Sequence, residues 1–261
     1  MSVAHVDAEH LAHRTRVAAV LEFFRRRKQT GLLIVIIAAF LVRPLIGVRG
    51  GASIVFSLAV LAMMFVALHA ITVEDLAGDR GALLAERRRR RIVGTALGAL
   101  AIGTRLAILV SGREELVLVA GLTWLLFFSF VTWSELHALL RHREITSETI
   151  SLAVAVYLLL GMCWGILYSV IFLFQPDAFN FGGSAETVAT LSAHPEESFP
   201  IFIYFSLTTF STIGFGDITP LTLQARYAAV AEGITGQFYI AILVARLVGI
   251  QISNSVRQSD R

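Results

Sequence analysis

Six apolar runs dominate this chain, each close to the roughly 20 residues an α-helix needs to cross the hydrocarbon core of a bilayer. They fall at Thr30–Gly47, Gly51–Ile71, Ile92–Ser111, Leu116–Leu136, Thr149–Phe174 and Arg226–Ile252. Composition agrees with this pattern: 56% of the 261 residues are hydrophobic and only 16% charged, where a soluble protein carries about a quarter charged. The expected fold class is therefore an all-α membrane protein with six transmembrane helices. A further run, Phe199–Ile213, is too short to span and leads into a glycine-rich turn. That is the pattern of a re-entrant helix, whose end can sit at membrane depth only where protein or water satisfies the backbone.

Arginine placement sets the expected topology. Basic residues cluster at Arg14, Arg16 and Arg25–Lys28, at Arg80 and Arg87–Arg91, at Arg141 and Arg143, and at Arg257 and Arg261. The stretch Gln175–Ser198 has no lysine or arginine but carries Asp177, Glu186, Glu196 and Glu197. Six crossings put every basic stretch on one side, so both termini are expected to be cytoplasmic and the acidic stretch outside. The net charge of +3 thus reads as a topology signal and not as a nucleic-acid patch. Arg25, Arg26, Arg27 and Arg87, Arg88, Arg89, Arg90, Arg91 are expected to lie against anionic lipid headgroups. Within residues 1–29, Leu11, Val17, Val20, Leu21 and Phe24 suit an amphipathic surface helix; a disordered basic tail fits the same residues. The single cysteine, Cys163, excludes an intrachain disulfide. No cleavable signal, internal repeat or soluble domain after the last helix is evident. Arginine greatly outnumbers lysine and no eukaryotic targeting segment is seen, so the expected location is a plasma membrane, the bacterial inner membrane.

The stretch that carries chemistry is Phe205–Pro220, FSLTTFSTIGFGDITP. A pore that strips an ion of its water must offer replacement oxygens in successive rings, and backbone carbonyls can do so if consecutive residues all aim inward. An ordinary strand alternates its carbonyls. Glycine at every second position, as in Thr212-Ile213-Gly214-Phe215-Gly216, removes that limit, because glycine takes left-handed dihedrals without steric cost. The Thr212 hydroxyl adds an oxygen at the inner end, and the helix Pro200–Ser211 points its partially negative end towards the same place. A plain glycine turn is the competing reading. A nucleotide-binding loop would need a strand before the glycines and a helix after them, which an apolar hairpin does not supply.

Thr-Ile-Gly-Phe-Gly-Asp resembles the selectivity filter of potassium channels, whose commonest form is Thr-Val-Gly-Tyr-Gly-Asp. The context is similar as well: Tyr204-Phe205 in the helix before it, Thr208 and Thr209 ahead of the filter, GDITPLTLQAR after it, and Gly236 twenty residues beyond Gly216. The resemblance covers about Thr149 to Ile252. It implies potassium bound at Thr212, Ile213, Gly214 and Phe215, with Gly216 completing the filter, and Asp217, Thr208, Thr209, Tyr204 and Phe205 supporting it. No cofactor is implied beyond potassium ions. One filter strand cannot surround an ion, so a homotetramer is expected. Gly236, or alternatively Gly233, is the expected hinge of the inner helix. Glu232 is an intramembrane carboxylate and a functional candidate: it could bond behind the filter, face the cavity and attract cations, or make an ordinary helix-interface bond with a threonine. Gln237 and Thr235 are further polar candidates near the cavity.

Two residues depart from the family pattern. Phe215 stands for the usual tyrosine. Thr208 stands where several members have a glutamate paired with the aspartate, so Asp217 is expected to lack its partner and the filter to be less braced. The six-helix layout resembles that of voltage-gated channels, but such a sensor needs about three to four charges per subunit, and LVLVAGLTWLLFFSFVTWSEL, the fourth run, has no arginine or lysine. Arg105 stands alone in the third run, the Arg87–Arg91 run is expected in a loop, and Arg246 is expected to snorkel to headgroups. His69 and His137 are candidates for proton sensing.

The expected organisation is an N-terminal segment over 1–29, a four-helix sensor-like domain over 30–137, an interfacial linker over 138–148, a pore domain over 149–252 and a short tail over 253–261. Within the pore domain, the outer helix covers 149–174, an extracellular segment 175–198, the pore helix 199–211, the filter 212–217 and the inner helix 226–252. The function this implies is a potassium-selective channel without steep voltage gating. The alternatives are a weakly selective cation channel and a nonconducting subunit or receptor. No catalytic constellation is present in the sequence.

Overall fold

A computed structural model of the chain describes residues 27–46, 82–111, 115–142, 144–182, 189, 191 and 195–259. Within them run the helices α1 (Lys28–Ile46), α2 (Ala82–Ser111), α3 (Glu115–Arg141), α4 (Ser147–Phe174), α5 (Pro195–Phe210) and α6 (Leu223–Ser259). Two short strands, β1 (Phe179–Asn180) and β2 (Thr219–Pro220), pair antiparallel with Phe179 opposite Pro220. Among the described residues, four segments are long and apolar enough to cross a membrane: Arg88–Ile108, Leu116–Arg141, Ser147–Phe174 and Leu223–Ile252. The apolar parts of α1 and α5, Gln29–Leu41 and Ser198–Phe210, are shorter. The expected second span, 51–71, and the N-terminal segment up to residue 26 lie outside the described residues.

Several boundaries differ from those expected. α2 begins at Ala82, so Arg87–Arg91 is helical and not in a loop; arginine, alanine and leucine are all good helix formers. α3 continues to Arg141 and absorbs His137, whose ring stacks on Trp133 one turn earlier, with centroids 6.1 Å apart. The linker expected over 138–148 therefore shrinks to a few residues. α4 starts where Thr146 caps it, its Oγ1 accepting from the Thr149 N–H at 3.2 Å. α6 runs on to Ser259, through most of the expected tail, since no glycine or proline interrupts residues 253–259. The β1–β2 pair was not expected at all; strands this short carry no periodicity to detect.

α4 is the central helix, packing against α1, α3, α5 and α6. On one side Leu32 and Ile36 of α1, Phe127, Phe128 and Val131 of α3, and Leu159, Met162 and Ile166 of α4 form a buried cluster. Lipid is as apolar as these side chains, so van der Waals fit holds such helices together more than any escape from water. On the other side the core is aromatic. Tyr168 and Phe172 of α4, Phe179 of β1, and Phe202 and Phe205 of α5 interlock. Phe179 lies edge-on to Phe202 at 4.8 Å, and Tyr168 to Phe205 at 5.0 Å. Such pairs contribute about 0.5–1.5 kcal/mol each beyond their area.

Two polar fastenings join the outer helices to the pair α4 and α6. Glu148, in the first turn of α4, accepts from the backbone N–H groups of Gln29 (3.1 Å) and Thr30 (3.3 Å) and from the Thr30 hydroxyl (2.6 Å). It thereby satisfies donors that the start of α1 would leave unpaired. At the same end of these helices, Arg246 of α6, expected to snorkel to headgroups, is engaged by the chain itself. Its guanidinium donates to the carbonyls of Leu139, Leu140 (2.7 Å) and His142 (2.6 Å). The last turn of α3 leaves those carbonyls unpaired, and a planar fork of donors fits them better than water does. Arg246→Ala is expected to cost about 2 kcal/mol, seen as a lower thermal midpoint of the purified protein. Arg246→Lys should recover only part of it, because a point charge cannot bridge three carbonyls.

Candidate functional site

α5 ends at Phe210 and hands over to an exposed loop that returns through β2 to α6. The loop folds back on the helix it leaves. The N–H of Thr212 donates to the Thr209 carbonyl (3.0 Å), and those of Ile213 and Gly214 to the Thr208 carbonyl (2.9 and 3.1 Å). Carbonyls that the helix end would leave unpaired are thus used to shape the loop. Its dihedrals alternate: φ is +60° at Thr212, +52° at Gly214 and +78° at Gly216, while Ile213 and Phe215 stay at negative φ. Alternating left- and right-handed residues turn successive carbonyls towards one side, where a single row of oxygens can meet a cation without its water. Thr212 carries a Cβ in the left-handed region, which costs about 1–2 kcal/mol; its bond to Thr209 helps to hold it there.

Every side chain from Thr212 to Asp217 is exposed in the single chain, including Ile213 at 58% and Phe215 at 68%. Asp217 is not without a partner, as expected from Thr208. Tyr204, one turn before Thr208 on α5, donates its hydroxyl to Asp217 at 2.9 Å. That hydrogen bond holds the Tyr204 phenol above its ordinary pKa, since it is lost when the phenol ionises. The Tyr204 ring also lies parallel to Phe215, with centroids 6.4 Å apart and planes within 4°. Thr208 spends its own hydroxyl on the Phe205 carbonyl (2.9 Å), one turn back. Beyond the loop, the β1–β2 pair and the Leu221 N–H to Ala178 carbonyl bond (2.8 Å) pin its exit.

Behind α5 the sequence-predicted residues separate. Phe205 is buried in the aromatic core and Thr209 is half-buried. Glu232 is fully buried, so it does not face a cavity within this chain. It meets Tyr168 of α4, whose hydroxyl lies 2.6 Å from its Oε2, and Ser206 of α5. Its contacts are with hydroxyls of two neighbouring helices, a tyrosine and a serine where the helix-interface expectation had a threonine. Gly236 lets α6 touch the end of α5: a Cβ there would sit 2.6 Å from the Phe210 carbonyl oxygen, whereas one on Gly233 would meet nothing within 4 Å. Gln237 is exposed, and Thr235 bonds back to the Ala231 carbonyl at 2.7 Å. Sequence reasoning missed Tyr168, Ser206, Gly161 and Gly165. The signal for the glycines was available, since two small residues four apart on a membrane helix mark a close crossing. A Cβ on Gly165 would lie 3.0 Å from the Ile203 Cα, and one on Gly161 2.8 Å from a Leu207 methyl. Among the described residues no group of three or more His, Cys, Asp or Glu side chains could hold a metal ion.

A family model described as "Ion channel" matches residues 149–251, that is, α4, α5, the loop and most of α6. The chain is also 32% identical over 77 residues to the potassium channel protein kcv of Paramecium bursaria Chlorella virus 1, covering 30% of this chain and 77% of that one. No solved structure matches the chain.

Proposed function

Because the chain belongs to the potassium channel family, and so is an ion channel and not an enzyme, we propose that four copies assemble in a membrane and pass potassium through rings of carbonyls from Thr212 to Phe215. The observation that carries this reading is the alternation of φ along Thr212, Gly214 and Gly216, a backbone shape that can line up consecutive oxygens. The exposure of Ile213, Phe215 and, on α6, Tyr227, Val230, Ile234 and Phe238 fits surfaces that neighbouring copies cover. α5 then acts as a re-entrant pore helix and α6 as the inner helix. The remaining helices surround them, giving six spans per chain in all, with the basic ends and both termini cytoplasmic, in a plasma membrane of bacterial type. Exposed Arg88, Arg89 and Arg91 at the start of α2 suit anionic headgroups. Gating is not steeply voltage-dependent, because α3 carries its only basic residues at the end, Arg141 next to the aqueous boundary and His137 one turn before it.

Potassium flux tests this directly. Purified protein in liposomes is expected to carry rubidium or potassium inward down a gradient and to exclude sodium. Equal entry of sodium would support a weakly selective channel, and no flux, with a tetramer that potassium does not stabilise, a nonconducting subunit. Bracing of the loop by Tyr204 has its own test. Tyr204→Phe, which removes only the hydroxyl bound to Asp217, is expected to speed the decay of current during sustained recording severalfold. An unchanged decay would count against a bracing role.

A further inference from the structure

Ser206 sits between two acceptors. Its Oγ lies 2.6 Å from the carbonyl oxygen of Gly161 and also in hydrogen-bond contact with Oε1 of Glu232. Two close oxygen–oxygen contacts need two protons, because lone pairs facing each other at such distances repel, and a serine hydroxyl owns one. The Gly161 carbonyl can only accept, so it takes the serine proton. The other proton must come from the carboxyl. Tyr168 meanwhile has its hydroxyl on Oε2 (2.6 Å), leaving Oε1 to carry the acid hydrogen. Burial points the same way: Glu232 is 0% exposed, and a bare carboxylate held only by neutral hydroxyls at that depth would be costly. The titratable side chains facing it are Tyr168 and Tyr157, both from α4; from α5 it meets Ser206, and among the described residues no basic group bonds to it.

We propose that Glu232 is a neutral acid, donating to Ser206 while accepting from Tyr168, and that this ordered chain Tyr168–Glu232–Ser206–Gly161 is what fixes the pore helix α5 against α4 and α6. Glu232 is thus a positioning residue: it touches no ion, but it sets where α5 ends and so where the loop begins. The consequence for conduction rests on the channel reading; the protonation does not.

Infrared spectra of the purified full-length protein in lipid test the two parts separately. Subtracting the spectrum of Glu232→Gln from that of the parent at neutral pH should leave the carbonyl stretch of a protonated, buried carboxyl. A difference containing only carboxylate bands would overturn the proposal. Ser206→Ala should keep the band but move it to higher frequency, since the acid loses its acceptor; an unmoved band would overturn donation to Ser206. That second variant also serves if Glu232→Gln does not assemble. In flux assays, Glu232→Gln, whose amide can donate and accept at the same places, should retain most of the rate, and Glu232→Leu should lose it. A glutamine variant as impaired as the leucine one would overturn the positioning role. The band is read on protein that need not conduct, so its absence refutes the neutral acid alone, whereas lost flux in the parent refutes the channel alone.

Discussion

Alanine at Gly214 or Gly216 is expected to abolish potassium current while leaving the protein inserted and assembled. Both glycines sit at positive φ, +52° and +78°, and an added Cβ at either would meet nothing within 4 Å of the same chain. The penalty is therefore one of backbone shape. A left-handed alanine costs about 1–2 kcal/mol, or about 4–8 kcal/mol over the four copies of the proposed assembly, and the loop is expected to escape it by flipping to negative φ. The carbonyl that should face the ions then faces away, and a ring of oxygens is lost. Thr212 shows that the fold can hold one such residue, at φ +60°, but it does so with its N–H tied to Thr209. Single-channel recording beside size-exclusion chromatography checks the prediction. Normal current in Gly216→Ala would mean that the alternation is not what conducts.

The second large effect concerns two glycines three residues apart on α6. Gly236→Ala would push a methyl to 2.6 Å from the Phe210 carbonyl oxygen and 3.2 Å from its ring. The obstacle is backbone, so the end of α5 must shift or α6 must move off. Overpacking of this kind costs about 1–3 kcal/mol per chain, and here the strain falls one residue before the loop. Gly236→Ala should lower the thermal midpoint of the assembled protein and reduce current together. Gly233→Ala has open space around it and should be neutral or stabilising by up to about 1 kcal/mol, because alanine is the better helix former. A flexible hinge would predict something else: harm from either substitution through gating, with no change in stability. Equal loss in both variants would favour that view.

These cases also show why the sequence was legible where it was. Spans declare themselves through unbroken apolar length, and α3, α4 and α6 lie where the runs at Leu116, Thr149 and Arg226 placed them, to within a turn or so at most ends. The loop declared itself because only glycine tolerates repeated positive φ. Helix ends were less visible. The five arginines at Arg87–Arg91 mark charge, not a helix stop, and α2 runs straight through them. Partners across the fold were invisible: nothing in the order of residues says that Tyr204 reaches Asp217, or that Arg246 caps α3. Glu232 was conspicuous as an acid in an apolar helix, yet its meaning depends on Tyr168 and Ser206, 64 and 26 residues away.

Reversal potential in a planar bilayer, with potassium and sodium gradients opposed, tests the central claim most directly. A carbonyl row from Thr212 to Phe215 predicts reversal near the potassium equilibrium potential, shifting with potassium concentration and insensitive to sodium. Reversal near zero, or one that follows sodium, would contradict the claim that this loop selects its ion.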